Sequence, residues 1–178
     1  ITIDADNDVV ITASAGGEIG LGTAIIKSSA AGDIKITGGD IDGSGAITAT
    51  KGNIELNSTC DATETATLSG DITATSGKVT FLGGNFAVST IVSNVGGITL
   101  GGDAQGSFGG ASATGSSIRI ESTNSTGGAA DDVIFTTIDS PVVLGQGAGD
   151  YALGKVTSST GAVVTVTTAG GNDSVTLN

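Results

Sequence analysis

The segment Gly45-Ala-Ile-Thr-Ala-Thr-Lys-Gly-Asn-Ile-Glu-Leu56 returns, lightly altered, as Gly70-Asp-Ile-Thr-Ala-Thr-Ser-Gly-Lys-Val-Thr-Phe81. Each copy holds two strand-like pieces, opened by Gly45 and Gly52 in the first and by Gly70 and Gly77 in the second. A strand-and-turn unit that recurs every roughly 20 to 50 residues is the signature of a solenoid, whose repeats bury their apolar faces only by stacking on one another. Such a chain specifies a long, stackable surface before it specifies any single site.

The unit Gly-x-β-x-β, with β an Ile, Val, Leu or Phe, recurs beyond these copies. It reads Gly17-Glu-Ile-Gly-Leu21, Gly32-Asp-Ile-Lys-Ile36 and Gly96-Gly-Ile-Thr-Leu100. Looser versions are Ser117-Ile-Arg-Ile120, Asp132-Val-Ile-Phe135, Pro141-Val-Val-Leu144, Ala162-Val-Val-Thr-Val166 and Asp173-Ser-Val-Thr-Leu177. Successive side chains of a strand point to opposite faces. Ile47, Ala49, Ile54, Leu56, Ile72, Ala74, Val79 and Phe81 therefore share one face, and Thr48, Glu55, Thr73 and Thr80 take the other. The glycine before each strand supplies a corner, through positive φ or close backbone approach. No helical apolar period persists, so the chain is all-β.

Two β architectures compete. A sandwich or jelly roll wants longer strands, joined by turns at roughly 8–12-residue spacing. Many strands here show only three alternating positions, which favours a right-handed parallel β-helix with three short strands per coil. At about 20–25 residues per coil and ~4.8 Å per strand, the chain makes about seven to eight coils, a rod of about 35–40 Å. Equivalent residues then form ladders, Ile72 over Ile47 and Thr73 over Thr48. The spacing loosens after Phe81: Ile98 follows as the next equivalent of Ile72, and the next clear strand begins near Ile118. Residues 101–117 and 122–130, rich in Gly, Ala, Ser and Thr, read as loops projecting from one domain that spans residues 1–178.

Composition narrows the function. The 31 glycines and five aromatics suit a narrow core, and the regular apolar pattern argues against disorder. The net charge of −12, with five lysines and Arg119 scattered, leaves no basic stripe for nucleic acid. There is no histidine, which removes the commonest general base and transition-metal ligand. Cys60 is the single cysteine and forms no intrachain disulfide; it is read as a small packed side chain, with an intermolecular bridge as the other reading. No apolar run is long enough to span a membrane as a helix. The first residue is Ile1, with no leader pattern, which reads as a processed or excised chain from a secreted or cell-surface protein.

Candidate sites are few. Asp4, Asp6 and Asp8 alternate as carboxylates do in the first half of calcium loops, but Val9 takes the place an EF-hand gives to Gly. They are either a loose calcium site or a solvated acidic turn. Gly170-Gly-Asn-Asp-Ser-Val-Thr-Leu177 is an incomplete copy of the G-G-x-G-x-D-x-U-x calcium motif, and Gly145-Gln-Gly-Ala-Gly-Asp150 echoes it more weakly. Asn57, Asn124 and Asn172 open glycosylation sequons that chance also explains. Thr48-Ala-Thr50 and Thr73-Ala-Thr75 align like the ranks of flat ice binders, although other coils break the array. The carboxylate pairs Asp40/Asp42 and Asp131-Asp132 lack the aromatic platforms of sugar-cleaving sites, so the chain is read as non-enzymatic. Ile1-Thr-Ile3 and Val175-Thr-Leu177 are strand-like to the chain ends and offer unpaired backbone groups for assembly.

The Gly-Asp-Ile-Thr-Ala-Thr, Gly-Lys-Val-Thr-Phe and Gly96-Gly-Ile-Thr-Leu100 units resemble the β-strand repeats of filamentous-haemagglutinin-type exoproteins and autotransporter passenger segments. The resemblance is clearest over residues 15–100 and rests on Gly and β-branched periodicity. It implies a right-handed parallel β-helix in a large secreted or surface-attached bacterial fibre, and it carries over no catalytic or ligand residue. The expected function is thus a structural or adhesive extracellular segment, with neighbouring repeats and a host or cell-surface receptor as partners. The alternative is a filament subunit that joins its own copies end to end.

Overall fold

The computed structural model describes residues 1–14, 16–59, 65–102, 104–113, 118–122, 133–139, 142–144, 151–157, 164–166 and 175–177. The chain opens with one strand for each side of a coil: β1 (Thr2–Ala5), β2 (Val9–Thr12) and β3 (Ile19–Gly22). The next round repeats them as β4 (Ile25–Ser28), β5 (Ile34–Gly38) and β6 (Ile41–Gly43), and the third begins with β7 (Ile47–Ala49) and β8 (Ile54–Ser58). Thereafter the third side of one coil runs into the first side of the next as one bent strand. This gives β9 (Thr65–Ala74), β10 (Val79–Leu82), β11 (Asn85–Ser93), β12 (Ile98–Gly102), β13 (Gln105–Ser112), β14 (Ile118–Ser122), β15 (Val133–Asp139), β16 (Val142–Leu144), β17 (Tyr151–Thr157), β18 (Val164–Val166) and β19 (Val175–Leu177).

Every described strand pair is parallel, and pairs join strands of successive coils. The protein is a parallel β-solenoid, and the sandwich alternative falls, because hairpin-connected strands would pair antiparallel. One side stacks β2, β5, β8, β10, β12, β14, β16 and β18 in order. About five turns carry described side chains, a part of the seven to eight coils expected. Coil length is not constant. In this sheet Val9, Ile34, Ile54, Val79, Ile98 and Ile118 occupy one column, and the step from Val9 to Ile34 is longer than that from Ile34 to Ile54. The variation is absorbed in turns, so the strand register survives it.

The inward columns make the core. Val9, Ile34, Ile54, Val79, Ile98 and Ile118 are buried, as are Ile26, Ile47, Ile72 and Ile91 on the neighbouring side. Ile72 sits over Ile47 and Thr73 over Thr48, as the repeat predicts. Burying each Ile or Leu contributes about 1.5–3 kcal/mol against chain entropy. Where the core widens, Phe81 meets Phe86 and Phe108 edge to face, with ring centroids 5.1 and 5.4 Å apart. Three inward serines sit at turns and donate to backbone carbonyls: Ser28 to Gly32 O at 2.7 Å, Ser58 to Gly39 O at 2.7 Å and Ser93 to Gly77 O at 2.9 Å. These bonds compensate hydroxyls that are otherwise buried away from water.

The repeat glycines work by close approach. A Cβ on Gly52 would lie 2.0 Å from the Gly32 carbonyl oxygen, and one on Gly77 would lie 2.0 Å from that of Gly52. The corner therefore stacks backbone on backbone, coil after coil. Positive φ is used elsewhere, as at Gly83 (62°) and Gly84 (61°), which turn the chain from β10 into β11.

Two expectations are corrected. The described part of the first expected loop, residues 101–117, is mostly strand: Gly101 and Gly102 end β12, and Gln105–Ser112 is β13, paired on both sides with β11 and β15. Its Phe108 and Ala111 are buried, and the scarcity of large apolar residues hid the strand. Nor does Ile98 answer Ile72: Ile98 stacks on Val79, and Ile72 on Ile91. Ile118–Ser122 is β14, and residues 123–130 of the second expected loop lie outside the described residues.

Candidate functional site

The outer surface of the sheet β2-β5-β8-β10 carries two parallel columns of side chains. The first stands just before each strand: Asp8, Asp33, Asn53 and Lys78. The second is the outward position within it: Val10, Lys35, Glu55 and Thr80, aligned by the strand register. Between the columns runs a groove of about 380 Å³ lined by all eight.

The first column is a hydrogen-bonded ladder. The Asp33 N–H donates to Asp8 Oδ1 at 2.8 Å, the Asn53 N–H to Asp33 Oδ1 at 2.7 Å, and the Lys78 N–H to Asn53 Oδ1 at 3.1 Å. Asn53 Nδ2 adds a bond to Asp33 Oδ1 at 3.2 Å. Short Asx side chains suit this place because their oxygens reach a backbone N–H at a turn. The ladder holds consecutive coils in register at the mouth of the groove.

The second column contains the Lys35–Glu55 ion pair, Nζ to Oε1 2.7 Å, which bridges two coils on a half-exposed surface. Such a pair contributes at most about 1 kcal/mol. With those charges paired, Asp8 and Asp33 leave one end of the groove acidic. At the other end the Lys78 ammonium has no carboxylate within ion-pair distance among the described residues. Thr80 keeps the outward position that alternation gives it, but it is covered there. It is only 9% exposed, and its Oγ1 has no hydrogen-bond partner among the described residues.

A second cluster lies where the second side of the coil turns into the third. Glu18, Asp40 and Asp42 bring carboxylate oxygens within 4.8 Å of one another. Register explains the meeting: Ile19 stacks on Ile41 and Gly20 on Asp42, so Glu18 comes level with Asp40 one coil later. Asp42 Oδ1 also accepts the Thr67 N–H at 2.8 Å. An oxygen-only set is what hard cations such as calcium take. Asp40 and Asp42 are visible as a pair in the sequence, but Glu18 joins them only through the stacking of one coil on the next.

The three aspartates singled out in the sequence separate. Asp4, in β1, accepts from Ser29 Oγ at 2.5 Å and lies 3.9 Å from Lys27 Nζ. Asp8 belongs to the ladder, and Asp6 is exposed between β1 and β2. The grouping of three acids within 4.8 Å among the described residues is the one around Asp40, and it includes none of these.

Of the edge residues, Thr2 and Ile3 lie in β1 and Val175, Thr176 and Leu177 form β19, the first and last strands of one sheet. Ile1, just before β1, is 95% exposed; Ile3, which continues the column of fully buried Ile26, is 39% exposed. Asn57 is an outward, part-exposed residue of β8. Cys60, Asn124, Asn172, the Asp131-Asp132 pair, Gly145–Asp150 and residues 170–174 lie outside the described residues. No helix among the described residues is long and apolar enough to cross a membrane. No family model, curated protein or solved structure matches the chain.

Proposed function

We propose that this chain is a structural and adhesive segment of an extracellular or cell-surface fibre, that it performs no catalysis, and that its neighbours are further repeats of a longer chain. The observation that supports the reading is the unbroken parallel ladder, which runs from the first strand to the last while coil length varies between turns. A fold of this kind separates two tasks. Backbone pairing and the inward columns carry extension, and the outward positions stay free to vary and to meet a receptor. The net charge of −12 suits such a surface by keeping neighbouring fibres apart. Immunolabelling of intact producing cells tests the proposal. Labelling of unpermeabilised cells is the expected result, and labelling that needs permeabilisation would overturn it.

The second reading is a filament subunit, favoured by the position of β1 and β19 at the two ends of one sheet. Strand addition at such edges supplies main-chain hydrogen bonds without new chemistry. Sedimentation and electron microscopy separate the two. Filaments of constant width, formed by the purified chain, would support the subunit; dispersed monomers would support the segment.

A further inference from the structure

We propose that the groove outside β2, β5, β8 and β10 binds an extended peptide segment that carries a cationic group at one end and a carboxylate about three residues away. The inference goes beyond the scaffold role and does not need the chain to form a fibre.

The groove is dipolar. Lys35 and Glu55 neutralise each other across its middle, at 2.7 Å. What remains is acid at one end, from Asp8 and Asp33, and at the other the Lys78 ammonium, which has no ion-pair partner among the described residues. Both aspartates spend Oδ1 on a backbone N–H, and among the described residues neither Oδ2 is engaged, which leaves it for an incoming cation. Asp33 and Lys78 are two coils apart, about 10 Å at ~4.8 Å per strand. Three residues of extended peptide cover the same distance, at about 3.3 Å each. Charge complementarity also sets direction: the cationic end must lie toward the first coil.

Thr80 supplies the independent sign that something is received here. Its side chain lines the groove beside Lys78, and its hydroxyl is buried without a partner among the described residues. Buried polar groups are almost always paired. Rotation of the Thr80 side chain about χ1 would bring that hydroxyl to the groove, where a carboxylate held by Lys78 would accept from it and make Thr80 a binding residue.

The test is a titration of the isotopically labelled 178-residue chain with triglycine, followed by amide chemical shifts at low ionic strength. Saturable shifts of Asn53, Lys78 and Thr80 are expected, and raising the salt should weaken them. N-acetyl-triglycine amide, which has the same three residues without terminal charges, should bind at least tenfold more weakly. Lys78→Glu should abolish the saturable shifts, and Thr80→Val should weaken binding about threefold or more. No saturation by 50 mM triglycine (roughly the weakest useful affinity) would overturn the proposal. Equal binding of the blocked peptide or of maltotriose would overturn it as well, without reliance on any variant's folding.

Discussion

Gly77 and Gly20 show how differently one residue type serves this chain. A Cβ on Gly77 would press 2.0 Å from the carbonyl oxygen of Gly52, whereas one on Gly20 meets nothing within 4 Å. Gly77→Ala should therefore lose about 3 kcal/mol or more, because the obstacle is backbone that cannot turn aside. Gly20→Ala should be neutral or gain up to about 1 kcal/mol by restricting the unfolded chain. Urea denaturation of the two variants checks both. The repeat made the corner glycines legible, since each precedes a strand at the same offset. It did not say which glycine property each corner uses, because close approach depends on a neighbour one whole coil away in the chain. The burial of Thr80 was hidden for a similar reason: alternation tells which way a side chain points, not how deeply neighbouring coils cover it.

At the scale of the strand, facing was legible wherever both classes of side chain were large. Ile47, Ile54, Ile72, Val79 and Phe81 are all buried, as period-two alternation requires. Ile72→Asp should cost about 4 kcal/mol or prevent folding, by placing an unpartnered charge in the core. Thr73→Asp, on the part-exposed side of the same strand, should stay within about 0.5 kcal/mol. Thermal denaturation distinguishes the two, and equal damage would refute the facing. The strand β13 was illegible because Gly, Ala and Ser give alternation almost no contrast; Phe108 is its one large inward residue. The ladder from Asp8 to Lys78 was equally hidden, since its members are distant in sequence. Asp33→Ala should cost about 0.5–1.5 kcal/mol by breaking it, and Asp33→Asn, which keeps the acceptor, clearly less.

For the whole molecule, stability is organised by coil, each supported only by the coils beside it. The return of Gly45–Leu56 as Gly70–Phe81 made this architecture legible. The uneven coil lengths stayed hidden, because they are set by turns rather than strands. The candidate groove is a product of that stacking, built from four coils and from no contiguous motif. Its residues carry no spacing signature, because a solenoid converts a period in sequence into a column in space. Amide hydrogen exchange of the monomeric chain, read peptide by peptide, tests the claim most directly. Protection should follow the axis: β7, β8, β9 and β10 exchange slowest, and the strands of one coil exchange alike whichever side they occupy. Protection sorted by sheet, with β2 and β5 as slow as β8 and β10 while β1 and β4 exchange freely, would contradict it.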